Sequence, residues 1–494
     1  MWIRDIITKL RKGVKAGVAA VKESDAITDN RIVKIIEEFR MSDELKLMKA
    51  GERYYRVDND IKDRKITRKM SNGKVIEETW KANNKLAHAK YKNMVDEKIS
   101  YLLSKAVTYK TDSKDDGKYI DVLKSILGKH FQYQLSTLGY EASNKGKGWL
   151  HIYIDSTGEF KTMVIPSEQC IPIWKDRTHT ELDMMIRVYE TTRWEYDDRK
   201  TITNVEVWTE ESVKFYRLDG RMLIAEYEKN NDNGGPVAHY KVDGEWCMWG
   251  KVPFVPFKNN KIELPDIKFV KSLLDGYDTS RSEAANYVEE VKNLIFVLKG
   301  YGGQGLDEFM MKLNEDRAIL IDDVEEGGVD ALTPQMDITA LREHYEQLKR
   351  DINEDGQSVD RDLDKYGNSP SGVALKFMYA GLDLKCNLME TEFKMGFEAL
   401  LYFVDTYLKL TGKGNFENIE VEIMFNRNMT INDQEMITNC NNSKGVVSEE
   451  TILTHHPYVD DVEEEKKRLE EDRKKKEPEW DEVPPVKDGG DDDE

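Results

Sequence analysis

Cysteine is scarce in this chain: four residues (Cys170, Cys247, Cys386 and Cys440) stand far apart with no paired spacing. That excludes a disulfide framework and a thiolate zinc site, and reads as reduced thiols of a cytosolic protein. Long apolar runs are missing, so nothing spans a bilayer. Residues 1–22 are basic and weakly amphipathic, with Trp2, Ile3, Ile6, Ile7 and Leu10 able to share a face. No uninterrupted apolar core follows, so this stretch does not read as a secretory signal. A helix packed on its own domain is the simpler account, and a helix docked on a surface is the other. Positive charge is short as well: 74 Lys and Arg against 94 Asp and Glu leave −20. A free chain so acidic is not expected to clamp DNA by neutralising phosphates. It can still surround DNA without gripping it, or meet basic protein surfaces.

Catalytic signatures are also absent. There is no G-x-S-x-G elbow, no H-E-x-x-H helix and no Walker-type phosphate loop. His455 and His456 are adjacent, so their side chains diverge on a helix and lack metal-ligand geometry. Carboxylates are too numerous for any pair to stand out as an acid/base couple. Nothing in the residues requires an enzyme, a cofactor or a metal.

What is present is a folded chain of 494 residues, 39% hydrophobic with nine tryptophans, long enough for two to four domains. Two helical stretches organise it. In residues 265–291, Ile267, Val270, Leu274, Tyr277, Arg281, Ala284, Val288 and Val291 recur at steps of three and four, and in 337–357 so do Ile338, Leu341, Tyr345, Leu348 and Ile352. Such spacing draws a narrow seam that packs against neighbouring helices. Pro265 and Asp266 suit a first helical turn, where negative charge meets the helix dipole. Between the two lies a strand–helix–strand insert of about 45 residues. A polar breaker at 360–370 precedes a helix over 371–410, roughly 60 Å long at 1.5 Å per residue. An ordinary helical domain with a βαβ insertion would also produce this pattern.

Upstream, the spacing predicts helices over 25–57, 83–105 and 119–137, and a hairpin turn at Asn72-Gly73. From Trp149 the period falls to two. The runs 149–154, 160–165, 184–191, 204–209, 213–218 and 222–227 read as an antiparallel meander. Residues 251–257, with Pro253 and Pro256, read as an extended strap. Downstream come a strand at 419–425, short helices at 434–441 and 448–455, a charged helix at 459–476 and an acidic, disordered tail at 477–494.

The sharpest enzyme-like signal is Gly300-Tyr301-Gly302-Gly303-Gln304-Gly305, which meets G-x-G-x-x-G after the apolar strand 294–298. A second strand, 318–321, ends in Asp322-Asp323, where a ribose-binding acid belongs. A nucleotide-binding enzyme built on Gly300–Asp323 is therefore the alternative reading. It is weakened by a short helix, by the absence of further β–α alternation and by its place inside a helical hairpin; glycines also suit a plain tight turn.

The order of features, together with the stretches 83–88, 95–103, 252–257, 272–278, 297–301 and above all 366–378 (YGNSPSGVALKFM), resembles the portal proteins of tailed bacteriophages of the gp6-like type. The likeness covers roughly residues 80–465. It implies an α+β portal fold with a mixed α/β wing (1–262), a stem helix (263–292), a small α/β clip (293–335) and a second stem helix (336–357). A tunnel loop (358–370), a long helix with a wing-return strand (371–430) and a helical crown (431–476) complete it. The implied assembly is a self-associated ring, typically of twelve, at one capsid vertex of the virion, formed in the host cytoplasm. Double-stranded DNA would pass through it without sequence specificity. The implied partners are the terminase large subunit, the head–tail adaptor, and the major capsid and scaffolding proteins, with no membrane. Asp364, Lys365, Tyr366, Asn368 and Ser369 would face DNA, Lys365 as a phosphate contact, unless they merely shape the loop. Tyr301, Gln304, Asp307, Glu308 and Lys312 would meet clip partners. With no motor chemistry in the chain, ATP hydrolysis falls to a partner.

Overall fold

A computed structural model describes residues 28–476 apart from 71, 80, 112–116, 196, 243–244, 291–294, 300–327, 333–336, 360–371, 418, 428–432 and 460–461. The chain forms two compact units, one of Met1–Asp360 with Gly381–Asn428, the other of Arg361–Ala380 with Met429–Glu494.

The first unit opens with α1 (Asp29–Met41) and α2 (Asp43–Tyr55). The sequence suggests one helical stretch here. Ser42 breaks it, because its extended backbone ends one helix while its hydroxyl accepts from Leu45 N–H (3.1 Å) and so caps the next. β1 (Thr67–Lys69) and β2 (Val75–Glu77) form the expected hairpin around Gly73. α3 (Lys90–Leu103) starts seven residues later than the spacing from Asn83 predicts, since 83–89 has another use described below. β3 (Thr108–Thr111) follows, then α4 (Gly117–Lys145), which outruns its expected end and is kinked at Gly128. α2 approaches α4 so closely that a Cβ on Gly51 would lie 1.9 Å from the Asn144 carbonyl oxygen. Only glycine fits there.

The expected single meander is two sheets. β4 (Lys147–Ile154) and β5 (Phe160–Ile165) pair, while β6 (Cys170–Trp174), β7 (Leu182–Glu195), β8 (Asp198–Trp208), β9 (Val213–Asp219) and β10 (Met222–Ala225) run as an antiparallel meander. A small hairpin, β11 (Tyr240–Val242) with β12 (Glu245–Cys247), follows. The proline strap is in fact a strand, β13 (Phe254–Lys258), antiparallel to β4 at the edge of the first sheet, a position that tolerates Pro256. Strand alternation splits the apolar side chains between two cores. Trp149, Met185, Trp208 and Phe254 pack on one face, while Ile186, Val205 and Val207 pack on the other against Ile32 and Ile36 of α1.

Next come α5 (Ile267–Glu290), β14 (Ile295–Lys299), β15 (Gly328–Leu332), α6 (Ile338–Asp355) and α7 (Gly372–Leu410), close to the expected helical bounds. From Leu382 onward α7 buries Cys386, Met389, Phe393, Phe397 and Leu400. Phe257 of β13 meets Phe393 and Phe397 edge-on at 5.1 and 5.8 Å, beneath the gap left by Gly396. β16 (Val421–Met424) returns to pair antiparallel with β3.

The second unit holds α8 (Asp433–Asn442), α9 (Glu449–Thr454) and α10 (Val462–Lys476). Ser448 caps α9 as its position predicts, accepting from Thr451 N–H, with Glu449 and Glu450 in the first turn. Glu464 and Arg468 form an expected four-apart pair (2.5 Å), and Glu449 and Glu450 reach Arg473 and Lys466 of α10.

Candidate functional site: a helix pair and its anchor

α5 and α6 lie side by side, joined through β14 and β15, which pair antiparallel from Ile295↔Leu332 to Lys299↔Gly328. The Tyr345 hydroxyl donates to the Ser280 carbonyl (3.0 Å), Arg281 lies 5.0 Å from the Tyr345 ring, and Tyr277 meets that ring edge-on at 6.5 Å. α6 is capped by Asp337, whose carboxylate accepts from Thr339 and Ala340 N–H.

The seam expected along all of α5 holds only for its first turns: Ile267, Val270 and Leu274 are buried, while Arg281 is exposed and Val288 is 64% exposed. The buried side of the second half is polar instead, formed by Asp278, Ser282 and Asn286. The extended segment 83–88 runs along these three. Asn84 N–H donates to Asn286 (2.6 Å), Leu86 N–H to Ser282 Oγ (3.0 Å) and His88 N–H to Asp278 (3.2 Å). The register follows from geometry: two extended residues advance about 6.6 Å and four helical residues about 6.0 Å. His88 Nδ1 and Asn59 also reach the Asp278 carboxylate, at 2.7 and 2.5 Å. These side chains satisfy backbone donors that no helix or sheet supplies, which is why α3 cannot start at Asn83. Asn286→Leu is expected to strand the Asn84 donors and to destabilise by about 1–3 kcal/mol. Hydrogen exchange checks it: the Asn84 and Leu86 amides should lose protection, and unchanged protection would refute the strap.

The start of α5 is held by a buried charge knot. Asp266 stands one residue before the helix, and Lys98 Nζ of α3 (3.0 Å) and Lys385 Nζ of α7 (3.2 Å) both reach its carboxylate. Asn259 donates to it at 2.9 Å, Lys98 also bonds Asn259, and Asp266 N–H donates to the Ser143 carbonyl. Lys385 further donates to the Gly356 carbonyl just after α6 (3.0 Å). Burial alone would raise the Asp266 carboxyl, but the two ammonium groups outweigh it and hold the pKa at about 2. Asp266 therefore joins α3, α4, α5 and α7 to Asn259, the residue that follows β13, a larger role than the dipole contact its place after Pro265 suggests. The legible signal was a lysine within an apolar face: Lys98 among Tyr91, Met94, Val95, Ile99 and Leu102, and Lys385 beside Leu382 and Met389.

Asp364, Lys365, Tyr366, Asn368 and Ser369 lie outside the described residues, as do Tyr301, Gln304, Asp307, Glu308 and Lys312. Their flanks are described. Lys299 and Gly328, which flank 300–327, are paired across β14 and β15. Val359, which precedes 360–371, is buried and its N–H donates to Glu97 (3.1 Å). The Gly300–Gly305 loop is likewise outside, but β14, the strand that feeds it, is paired antiparallel. A dinucleotide fold needs that strand in a parallel sheet. Among the described residues no cluster of His, Cys, Asp or Glu could hold a metal ion, and no helix is long and apolar enough to cross a membrane.

The described residues form a mixed α/β chain built around a helix pair joined by an antiparallel hairpin. A sequence model of the family described as phage portal protein, SPP1 Gp6-like, matches residues 39–479. The portal protein of Bacillus phage SPP1 is 31% identical over 451 residues, covering 90% of this chain and 86% of that protein. The portal protein of Clostridium phage phiCD119 is 32% identical over 396 residues, 77% and 83% of the two chains. The chain belongs to the SPP1 Gp6-like family of phage portal proteins. A solved chain from the neck of an empty GTA particle aligns over 74% of this chain and 90% of its own, at TM-score 0.41 and 10% identity, too distant to bear on function.

Proposed function

We propose that the chain is one subunit of a ring at the capsid portal vertex, and that the ring forms the channel for double-stranded DNA during packaging and ejection. Family membership across residues 39–479 is the observation that carries this reading. The ring is structural, and its energy comes from a separate motor. In this reading α5 and α6 are the stem, 293–335 the clip that docks the terminase and later the head–tail adaptor, and 358–370 the loop facing DNA. The sheets with α1–α4 form the wing, and α8–α10 the crown. The hairpin geometry supports this division, because β14 and β15 pair at the two ends of the proposed clip segment, between the two helices.

The charge suits the task. Twelve copies at −20 each give −240, and an acidic assembly repels phosphates where a basic one would hold them. Sliding needs weak, sequence-independent contact. The test is the native mass of purified protein with negative-stain images. A dodecamer of 57.3 kDa subunits has a mass of about 690 kDa and should show as rings with a central hole. A well-behaved dimer that binds a nucleotide would overturn the reading.

A further inference from the structure

Gly276 stands in the interior of α5 without a packing reason: a Cβ there would meet no atom within 4 Å. An interior glycine weakens a helix relative to alanine, so α5 is weakened at a position that would accept a side chain. The grip on the helix also changes there. Before Gly276, α5 is fixed by the Asp266 knot, by buried Ile267, Val270 and Leu274, and by the Tyr54 hydroxyl of α2, which donates to Asp275. Past it the hold comes from two stretches of chain, 59–64 and 83–88, and is mostly polar. Arg64 pairs with Glu283 (3.0 Å) and Asn84 Nδ2 donates to Glu289 (2.8 Å), beside the bonds to Asp278, Ser282 and Asn286 already described. The His88 ring sits edge-on to Tyr277 at 4.9 Å. This second grip is incomplete. Asn59 Oδ1, Arg64 Nη1 and Asn83 Oδ1 are buried and have no hydrogen-bond partner. Such atoms disfavour the arrangement that buries them, so the closed grip competes with one in which they reach water.

We propose that Gly276 is a hinge and that 59–64 with 83–88 is a latch, so that residues 277–290 of α5 take two positions, latched and released. α6 has no interior glycine and its base is fixed by buried Ile352, so it is the straight strut beside which α5 turns. The use of the device rests on the reading of 293–335 as the clip. β14 is the next element after α5, so a partner at the clip that favours the released position loosens the latch. By reciprocity, a loosened latch strengthens that partner's binding by the same factor.

The test is a distance measurement by electron paramagnetic resonance on the full chain. Spin labels go on the exposed positions Lys49 of α2 and Val288 of α5, with labelled chain diluted into unlabelled chain. The wild type should give two distances. Asn286→Leu removes a latch acceptor and should raise the ratio of released to latched chain about tenfold. Gly276→Ala should lower that ratio about fivefold, the helix preference of alanine over glycine. Amide exchange over 279–290 should quicken in the first variant and slow in the second, which keeps the hinge testable if a label perturbs the fold. One wild-type distance that neither substitution moves would overturn the proposal. So would a Gly276→Ala chain that loses the rings the wild type forms, because the glycine would then serve the close approach of a neighbour. A wild-type chain that forms no ring would overturn the ring reading alone, since the distances are read within one chain.

Discussion

Asp266→Ala should lower the stability of the first unit by about 3–5 kcal/mol, the range for removing one partner from a buried ion pair. The size follows from what is left behind. Lys98 is 1% exposed, and without the carboxylate its ammonium keeps the Asn259 hydrogen bond but loses its counter-ion. Lys385 keeps the Gly356 carbonyl and loses the same counter-ion. Two cations then face each other in a space closed to water. Urea unfolding followed by tryptophan fluorescence would measure the loss, and a shift below about 1 kcal/mol would show that the knot is not the anchor. The double variant Lys98→Met with Asp266→Leu should lose less than the two single changes together, since it removes one cation along with the anion.

Acidification provides the second large effect. Burial holds His151 neutral, with its pKa pushed down to about 3, and His239 likewise at about 4. Both lie against Trp208, at 4.7 and 5.8 Å, with one ring nitrogen of each on a backbone carbonyl. In the unfolded chain each imidazole takes up a proton near pH 6.5, so below that pH the unfolded state binds more protons than the folded one. Stability therefore falls as pH drops through 6.5 and levels off only near the folded values. Between pH 7.5 and pH 5 each histidine should account for about 2 kcal/mol, or about 4 together, at 1.36 kcal/mol per unit. Asp266 and Glu263, both held at about 2, act in a lower window: their contribution is present above about pH 4 and disappears as the pH falls toward 2. Urea midpoints at pH 7.5, 6 and 5 would reveal the histidine window. A flat profile there, with loss only below pH 4, would exclude it.

Periodicity alone makes α5, α6 and α7 legible, because a three-and-four rhythm over five or more turns has no good strand counterpart. The β-rich middle is legible for the same kind of reason. What escapes a reading of the residues is whatever breaks the local rule. β6 (Cys-Ile-Pro-Ile-Trp) has a proline and no alternation, yet it forms because β7 offers it a paired edge. β13 reads as a strap because prolines discourage a ladder, and it forms at a sheet edge where Pro256 loses little. The first turn of α3 is lost to the strap, since Asp278, Ser282 and Asn286, about 190–200 residues away in sequence, supply better partners for the backbone of 84–88.

By itself the sequence determined most of the helical and extended segments, the wide spacing of the four cysteines, the acidic character, and enough ordered motif to recognise a portal family member. Those properties are local or compositional, set by neighbours in the chain and by counts. Only the tertiary structure decided that the sheet divides in two, that α5 buries an apolar face at one end and a polar one at the other, and that Lys98, Asp266 and Lys385 meet. A buried charge is tolerated only where opposite charge and hydrogen bonds converge on it, and that convergence joins residues far apart in the chain, which no periodicity records.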